Sequence, residues 1–128
     1  MTTSLGKLDG ALQFLRILSN KELDVQDSLN VKNNLFKAED LLKGFYEVIK
    51  ELVTKHGGQI IQGVSDLNFK TDEGKKAFYL EYTKACESTV DCPVFKEISL
   101  EALKGVKISA QGLMLLQEIG IIESGDVV

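Results

Sequence analysis

The feature of this chain that most constrains its fold is a long apolar repeat in a stretch without helix breakers. Between Asp24 and His56 there is no proline, and Gly44 is the only glycine. Apolar residues recur there at alternating spacings of four and three over three heptads, which is typical of a helix with an apolar seam. The seam consists of Val31, Leu35, Ala38, Leu42, Phe45, Ile49 and Leu52. We therefore predict one long helix over residues 24–55, with Asp24 as its N-cap and Gly57-Gly58 at its end.

Such a helix is about 48 Å long at ~1.5 Å per residue, which exceeds the width of a compact domain of 128 residues. Its seam carries too much apolar surface to remain in contact with water. Two arrangements meet this requirement. Either neighbouring helices cover the seam within the chain, or its half nearer Val31 pairs with another copy. Under the second arrangement the protein-interaction residues are Val31, Leu35, Ala38, Leu42 and Phe45.

Shorter helices and strand-compatible segments surround the long helix. The predicted shorter helices span residues 4–19, 72–88 and 110–119, with one capped turn at 99–105. The predicted strands lie within residues 59–69, 94–98 and 121–122. The expected fold class is α+β, mainly α, with a long central helix packed by shorter helices and a small two- or three-stranded sheet. We expect a single domain over 1–128, in which 1–58 form a helical hairpin and 59–128 a small sheet with two or three helices.

Charge and hydropathy exclude several classes of partner. The chain has 15 Lys and Arg against 19 Asp and Glu, a net charge of −4, and Arg16 is its only arginine. This balance argues against nucleic-acid binding, which usually requires a basic face. The longest apolar stretch, 113–122, is shorter than the roughly 20 residues of a membrane-spanning helix. The N-terminus does not resemble a secretory signal, so we expect neither secretion nor a membrane partner.

No residue pattern predicts catalysis or metal binding. His56 is the only histidine, and without an orienting partner in the sequence we interpret it as a capping or surface residue. The GxxxxG spacing from Gly58 to Gly63 lacks the lysine of a phosphate loop. Cys86 and Cys92 form neither a CxxC pair nor a zinc half-site, and are interpreted as free thiols, with a local disulfide left open. We therefore expect no enzyme activity, metal, cofactor or small-molecule substrate.

Several segments in the later part of the chain match a known hydrophobic pattern. The long helix closes at Lys55-His56-Gly57-Gly58, a helix with Phe78-Tyr79-Leu80-Glu81-Tyr82 follows, and residues 98–109 read I-x-L-x-x-L-x-G-x-x-I-S before a final apolar helix. Over residues 30–122 the chain resembles an uncharacterised family of short tailed-bacteriophage proteins. The family has no assigned catalytic residues. The resemblance implies a phage-encoded protein of the tail, neck or capsid, or an accessory of their assembly.

The expected function is therefore that of a non-enzymatic phage structural or virion-assembly protein acting through helix-mediated contacts. Its expected partners are copies of itself or other virion proteins, because symmetric assemblies need self-complementary patches. The expected location is the virion or the host cytoplasm. The alternative is a small phage-encoded binding or inhibitor protein that presents an acidic face to a basic host factor.

Overall fold

The chain is mainly helical, as the sequence predicts, and combines helices with short antiparallel strands. The computed structural model describes residues 2–60 and 67–122. The elements in chain order are β1 (Thr2–Ser4), α1 (Leu5–Ser19), α2 (Val25–Lys55), β2 (Gly58–Ile60), β3 (Leu67–Phe69), α3 (Asp72–Glu87), β4 (Thr89–Asp91) and α4 (Ala110–Glu118). A 3₁₀ turn at Leu100–Leu103 precedes α4. This is the predicted α+β class with a long central helix.

The long helix α2 is a single rod of 31 residues, about 46 Å in length at ~1.5 Å per residue. Its first turn is capped by Asp24, whose carboxylate accepts a hydrogen bond from the backbone N–H of Asp27 at 2.8 Å. The helix ends at His56, and Gly57 follows with a φ of 73° in the left-handed region that favours glycine. Both ends lie where the sequence predicts them.

The core lies mainly between α1 and the seam of α2. Ser4 caps α1 by accepting a hydrogen bond from the backbone N–H of Lys7. The buried residues of α1 are Leu8, Ala11, Leu12, Leu15 and Leu18. This helix also contacts α3 and α4. In α4, a Cβ at Gly112 would lie 2.1 Å from the ring of Phe14, so the glycine allows that ring to pack against the α4 backbone.

The strands form two separate pairs within the described residues. β1 pairs with β4, with Thr3 opposite Val90, and β2 pairs with β3, with Gln59 opposite Asn68. β2 and β3 lie in the predicted segment 59–69, except that β2 begins one residue earlier, at Gly58. Residues 61–66 lie outside the described part of the chain. The pairing of β1 with β4 was not predicted, because Thr89–Asp91 falls where the sequence indicates a helix break.

The prediction of a strand at residues 94–98 is wrong. In this segment only Ile98 makes a β-bridge, a parallel one to Ile122. The remaining backbone does not join the hairpin of β2 and β3, which pairs with itself. The predicted edge strand at 121–122 is accordingly reduced to that one bridge, supported by a hydrogen bond of 2.7 Å from the N–H of Ile98 to the carbonyl of Ile121.

Residues 94–99 instead run extended along α2 and take their hydrogen bonds from its side chains. The amide nitrogen of Asn34 donates to the carbonyl of Lys96, and its amide oxygen accepts from the Lys96 N–H, both at 2.7 Å. The carboxylate of Asp27 accepts from the N–H and the hydroxyl of Ser99 at 3.2 and 2.8 Å. Asn30 and Lys37 donate to the carbonyls of Glu97 and Val94. These four side chains supply the bonds that a neighbouring strand would otherwise supply.

The C-terminal elements follow the sequence predictions closely. Ser109 caps α4 through a 3.0 Å hydrogen bond from the N–H of Gly112, and Gly120 ends the helix with a φ of 83°. Ile121 and Ile122 return the chain to the core, where both are buried. Within residues 2–60 and 67–122, none of the helices combines the length and the apolarity that crossing a membrane requires.

Candidate interaction surface

The structure places the predicted interaction residues inside the chain. Four of the five are at most 7% exposed and belong to the hydrophobic core, and the fifth is half-buried against it. The four are Val31, Ala38, Leu42 and Phe45, and the fifth is Leu35. α1 packs along this side of α2. Of the two predicted arrangements of the seam, these residues therefore show the one in which the chain covers the seam itself. A second chain cannot reach the four buried residues while the core is intact.

The opposite side of α2 carries large apolar side chains in contact with water. Val25, Leu29 and Phe36 are 77%, 51% and 55% exposed. Together with Lys32 they follow spacings of four, three and four, which places them on one face of the helix. We call Val25, Leu29, Lys32 and Phe36 the outer face. Single exposed apolar residues are ordinary, but three aligned on one face form an apolar strip, interrupted here by Lys32.

The outer face is absent from the sequence predictions because it is shorter and less regular than the seam. Its apolar members are only three, and Lys32 interrupts them. The signal that identifies it is the helical period itself, since Val25, Leu29 and Phe36 share a face that is far from the seam and otherwise polar. Apolar residues on the side of a helix opposite its core contacts indicate either a second packing partner or an exposed strip.

A groove with a volume of about 340 Å³ lies between the outer face and the end of α1. It is lined by Leu18, Ser19, Lys21, Leu23, Ser28, Val31, Lys32, Leu35 and Phe36. Two of these are lysines and none is acidic, so the rim is basic in a chain whose net charge is −4. The Nζ of Lys32 lies 5.9 Å from the centre of the Phe36 ring, within the range of a cation–π contact. This lining suits apolar side chains flanked by carboxylates.

The turn between α1 and α2 positions the rim of this groove. Asn20 ends α1, with its side-chain amide donating to the carbonyl of Arg16 at 3.1 Å. The N–H of Lys21 donates to the carbonyl of Leu18 at 3.1 Å. These bonds fold the chain tightly after α1 before Asp24 starts α2. Lys21 is thereby placed beside the first turns of α2, where it lines the groove.

A second cluster of functional groups joins the end of α2 to α3. His56 caps α2, and its Nε2 lies 2.5 Å from Oε2 of Glu81, while the Nζ of Lys55 lies 3.2 Å from Oε1 of the same residue. The hydrogen bonds from His56 and then Lys55 hold the pKa of the Glu81 carboxyl below its usual value. Of the two roles predicted for His56, capping or surface residue, the structure shows the first, since His56 occupies the C-cap position of α2 and its side chain is only 15% exposed. Its acidic partner lies 25 residues away and was not predictable from spacing.

Two tyrosines are hydrogen-bonded at the junction of α1, α2 and α3. The hydroxyl of Tyr46 donates to the carboxylate of Asp9 in a short hydrogen bond. Burial, together with this bond, raises the pKa of Tyr46. Burial and a hydrogen bond with Cys86 raise the pKa of Tyr82 to about 12. Both hydroxyls therefore stay protonated at neutral pH. That of Tyr46 joins α2 to α1, whereas that of Tyr82 bonds within α3.

The residues that the structure describes offer few groups for metal binding or thiol chemistry. No group of three or more His, Cys, Asp or Glu residues in that part could hold a metal ion. Cys86 and Cys92 are half-buried free thiols, as the sequence analysis predicts. Burial raises the pKa of the Cys92 thiol, which lowers the fraction of reactive thiolate.

Comparison with known proteins adds no assignment to this geometry. No protein-family model, no curated protein and no solved structure matches the chain. The class that the described residues define is a small, mainly helical α+β protein whose longest helix has one side in the core and an exposed apolar strip on the other.

Proposed function

We propose that this chain is a non-enzymatic structural or assembly protein of a bacteriophage particle, located in the virion or in the host cytoplasm. It acts through helix-mediated contacts with copies of itself or with another virion protein, in the tail, neck or capsid. The contacts are made by the outer face of α2 and the adjoining groove. No cofactor or small-molecule substrate takes part.

The observation that carries the proposal is the exposure of three aligned apolar side chains on the longest helix of the described chain. Val25, Leu29 and Phe36 leave more than half of their surface in water. The helix beneath them is held by its core side and by the side chains that bond residues 94–99. The strip is therefore presented on a preformed surface, which lowers the ordering cost of binding.

The phage part of the proposal is supported by the residues alone. The pattern I-x-L-x-x-L-x-G-x-x-I-S at residues 98–109 and the final apolar helix resemble those of a family of short tailed-phage proteins. In this chain that pattern encodes the 3₁₀ turn at Leu100–Leu103 and the capped start of α4. α4 packs against α1, and residues of the 3₁₀ turn lie beside the start of α2.

The test is to determine whether particles contain the chain and whether the outer face places it there. In a phage that encodes this chain, mass spectrometry of purified particles and of assembly intermediates should detect it. The double variant L29D/F36D should lower its content by about tenfold or more, because a charge on each contact residue removes well over 1.4 kcal/mol of binding free energy.

A matched control keeps loss of folding separate from loss of contact. Val48→Asp changes a residue of the same helix with a similar exposed fraction, 45%, about 120° around the axis from Phe36. We expect this variant to be incorporated like the unchanged chain. Absence of the unchanged chain from particles and intermediates, or equal effects of the outer-face and control variants, would overturn the proposal.

A further inference from the structure

Two opposite charges stand symmetrically about the most prominent residue of the outer face. Lys32 precedes Phe36 by four residues and Asp40 follows it by four, so each lies about 6 Å from it along the helix. All three side chains are exposed. At ~100° per residue both charges project from the side of α2 that carries the outer face.

We infer that the outer face binds a second copy of this chain, with the two α2 helices antiparallel and Phe36 at the two-fold axis. This inference rests on the proposed function and names its partner. A two-fold axis at Phe36 places each residue of α2 opposite the partner residue that lies equally far from Phe36 in the other direction along the sequence. Lys32 then faces the partner's Asp40, and Asp40 faces the partner's Lys32, so one sequence relation produces two ion pairs.

The same symmetry matches further positions along the helix. Leu29 precedes Phe36 by seven residues and Lys43 follows it by seven, so the aliphatic stem of Lys43 covers the partner's Leu29. Lys32 with Asp40 and Leu29 with Lys43 are therefore complementary in this one register.

Charge also selects the direction of the partner helix. In a parallel pair in register, each Lys32 faces the partner's Lys32 and each Asp40 the partner's Asp40, which places like charges together. The antiparallel pair replaces these contacts by opposite charges. Apolar contact between the two Phe36 rings supplies affinity, whereas the ion pairs fix orientation and register.

A charge-swap experiment tests the inference directly. Sedimentation velocity of the unchanged chain at about 50 mM salt, where surface charges are weakly screened, should show a concentration-dependent dimer. The single variants K32E and D40K should each weaken self-association by about tenfold or more, because each sets two like-charged pairs across the axis. The double variant K32E/D40K should restore the dimer.

The mixture of the two single variants is the decisive measurement. Combined in equal amounts, K32E and D40K chains should form a heterodimer at concentrations where neither forms a homodimer, since both ion pairs return, one in its original sense and one with its charges reversed. The control pair E73K and K76E lies on exposed positions of α3, outside the proposed interface, so its mixture should gain no such advantage. Far-UV circular dichroism of every variant checks that the helix content is unchanged.

The outcomes separate this inference from the proposed function. A chain that stays monomeric at about 100 μM, or a K32E and D40K mixture that does not associate more tightly than each variant alone, overturns the antiparallel dimer. If such a chain still enters particles through Leu29 and Phe36, the proposed function stands with a different virion partner.

Discussion

Two polar residues, Asp27 and Asn34, are buried on a helix that the sequence marks chiefly by its apolar seam. Burial of a polar group costs free energy unless it is hydrogen-bonded. Both side chains meet this condition by bonding the backbone of Ser99 and Lys96. In the described part of the chain, no buried side-chain nitrogen or oxygen lacks a hydrogen-bond partner.

We expect Asn34→Leu to lower the free energy of unfolding by about 2–4 kcal/mol, because it leaves both backbone groups of Lys96 without a partner. Urea unfolding followed by circular dichroism measures the change. Asn33→Leu is the matched control, since this neighbouring residue has the same chemistry but is exposed, and its effect should stay within about 0.5 kcal/mol. Equal losses for the two variants would show that the bonds to Lys96 contribute nothing.

Leu42 tests the phase of α2. Its side chain is fully buried, so Leu42→Asp places an unpaired charge among apolar groups and should cost at least about 3 kcal/mol. Leu41→Asp, one position away and partly exposed, should cost less than about 1 kcal/mol. Thermal unfolding of the two variants measures both. A Leu42→Asp protein that melts like the unchanged chain would place position 42 on the surface.

For single residues, the apolar period of the sequence predicts which side chains share a helix face, whereas the surroundings of that face are not predictable. The seam's spacing predicts which residues of α2 share a face, and Val31, Ala38, Leu42 and Phe45 are indeed buried together. Spacing does not state whether α1 or a second chain covers that face. The burial of Asp27 and Asn34 depends on a segment more than 60 residues away, which no local pattern encodes.

At the scale of elements, residues 94–99 show why a strand-compatible sequence did not become a strand. Phe95 and Ile98 are both buried, although a spacing of three would place them on opposite faces of a regular strand. Composition predicts the extended backbone and the buried side chains, but it does not identify the hydrogen-bond partner. Here that partner is a row of helix side chains one or two turns apart, so the segment needs no sheet.

The link between α2 and α3 predicts a specific dependence of stability on pH. The pKa of Glu81 is lower in the folded chain than its ordinary value of 4.5, so the unfolded chain binds this proton more readily. The contribution of Glu81 is therefore present above pH 4.5 and is lost as the pH falls through the lower folded pKa. Glu81→Gln should flatten the decline in stability with falling pH below 4.5, measured by urea unfolding at a series of pH values.

Glu87→Gln, on the same helix, is the control for this titration. Glu87 is exposed at the end of α3, and its replacement removes the same charge without breaking the contact to His56. We expect its stability profile to follow that of the unchanged chain. Identical profiles for the Glu81 and Glu87 variants would mean that the bond to His56 does not influence acid unfolding.

At the scale of the whole molecule, α1 contacts α2, α3 and α4 and thus connects both halves of the chain. A boundary near residue 58 therefore does not separate two independent cores. We expect far-UV circular dichroism and tyrosine fluorescence to report the same urea midpoint, since Tyr46 lies in α2 whereas Tyr79 and Tyr82 lie in α3. Two transitions, with α3 unfolding first, would contradict a single cooperative unit.

The candidate surface was the part of the molecule least accessible to prediction. The sequence indicates that α2 carries more apolar surface than one neighbour covers, and Leu29 and Phe36 show that some of it remains exposed. It assigns that surface to the seam, because the seam has the strongest period. Which side of a helix stays exposed is decided by the packing of distant elements, and here α1 occupies the more regular side.

The hydrogen bonds of Asn34 have one further consequence, for how the chain tolerates changes in length. Because they hold both backbone groups of Lys96, they fix the position of residues 94–99 along α2. An inserted residue between Asp91 and Val94 would therefore be accommodated in that short connection, and Phe95 and Ile98 would stay buried in the core.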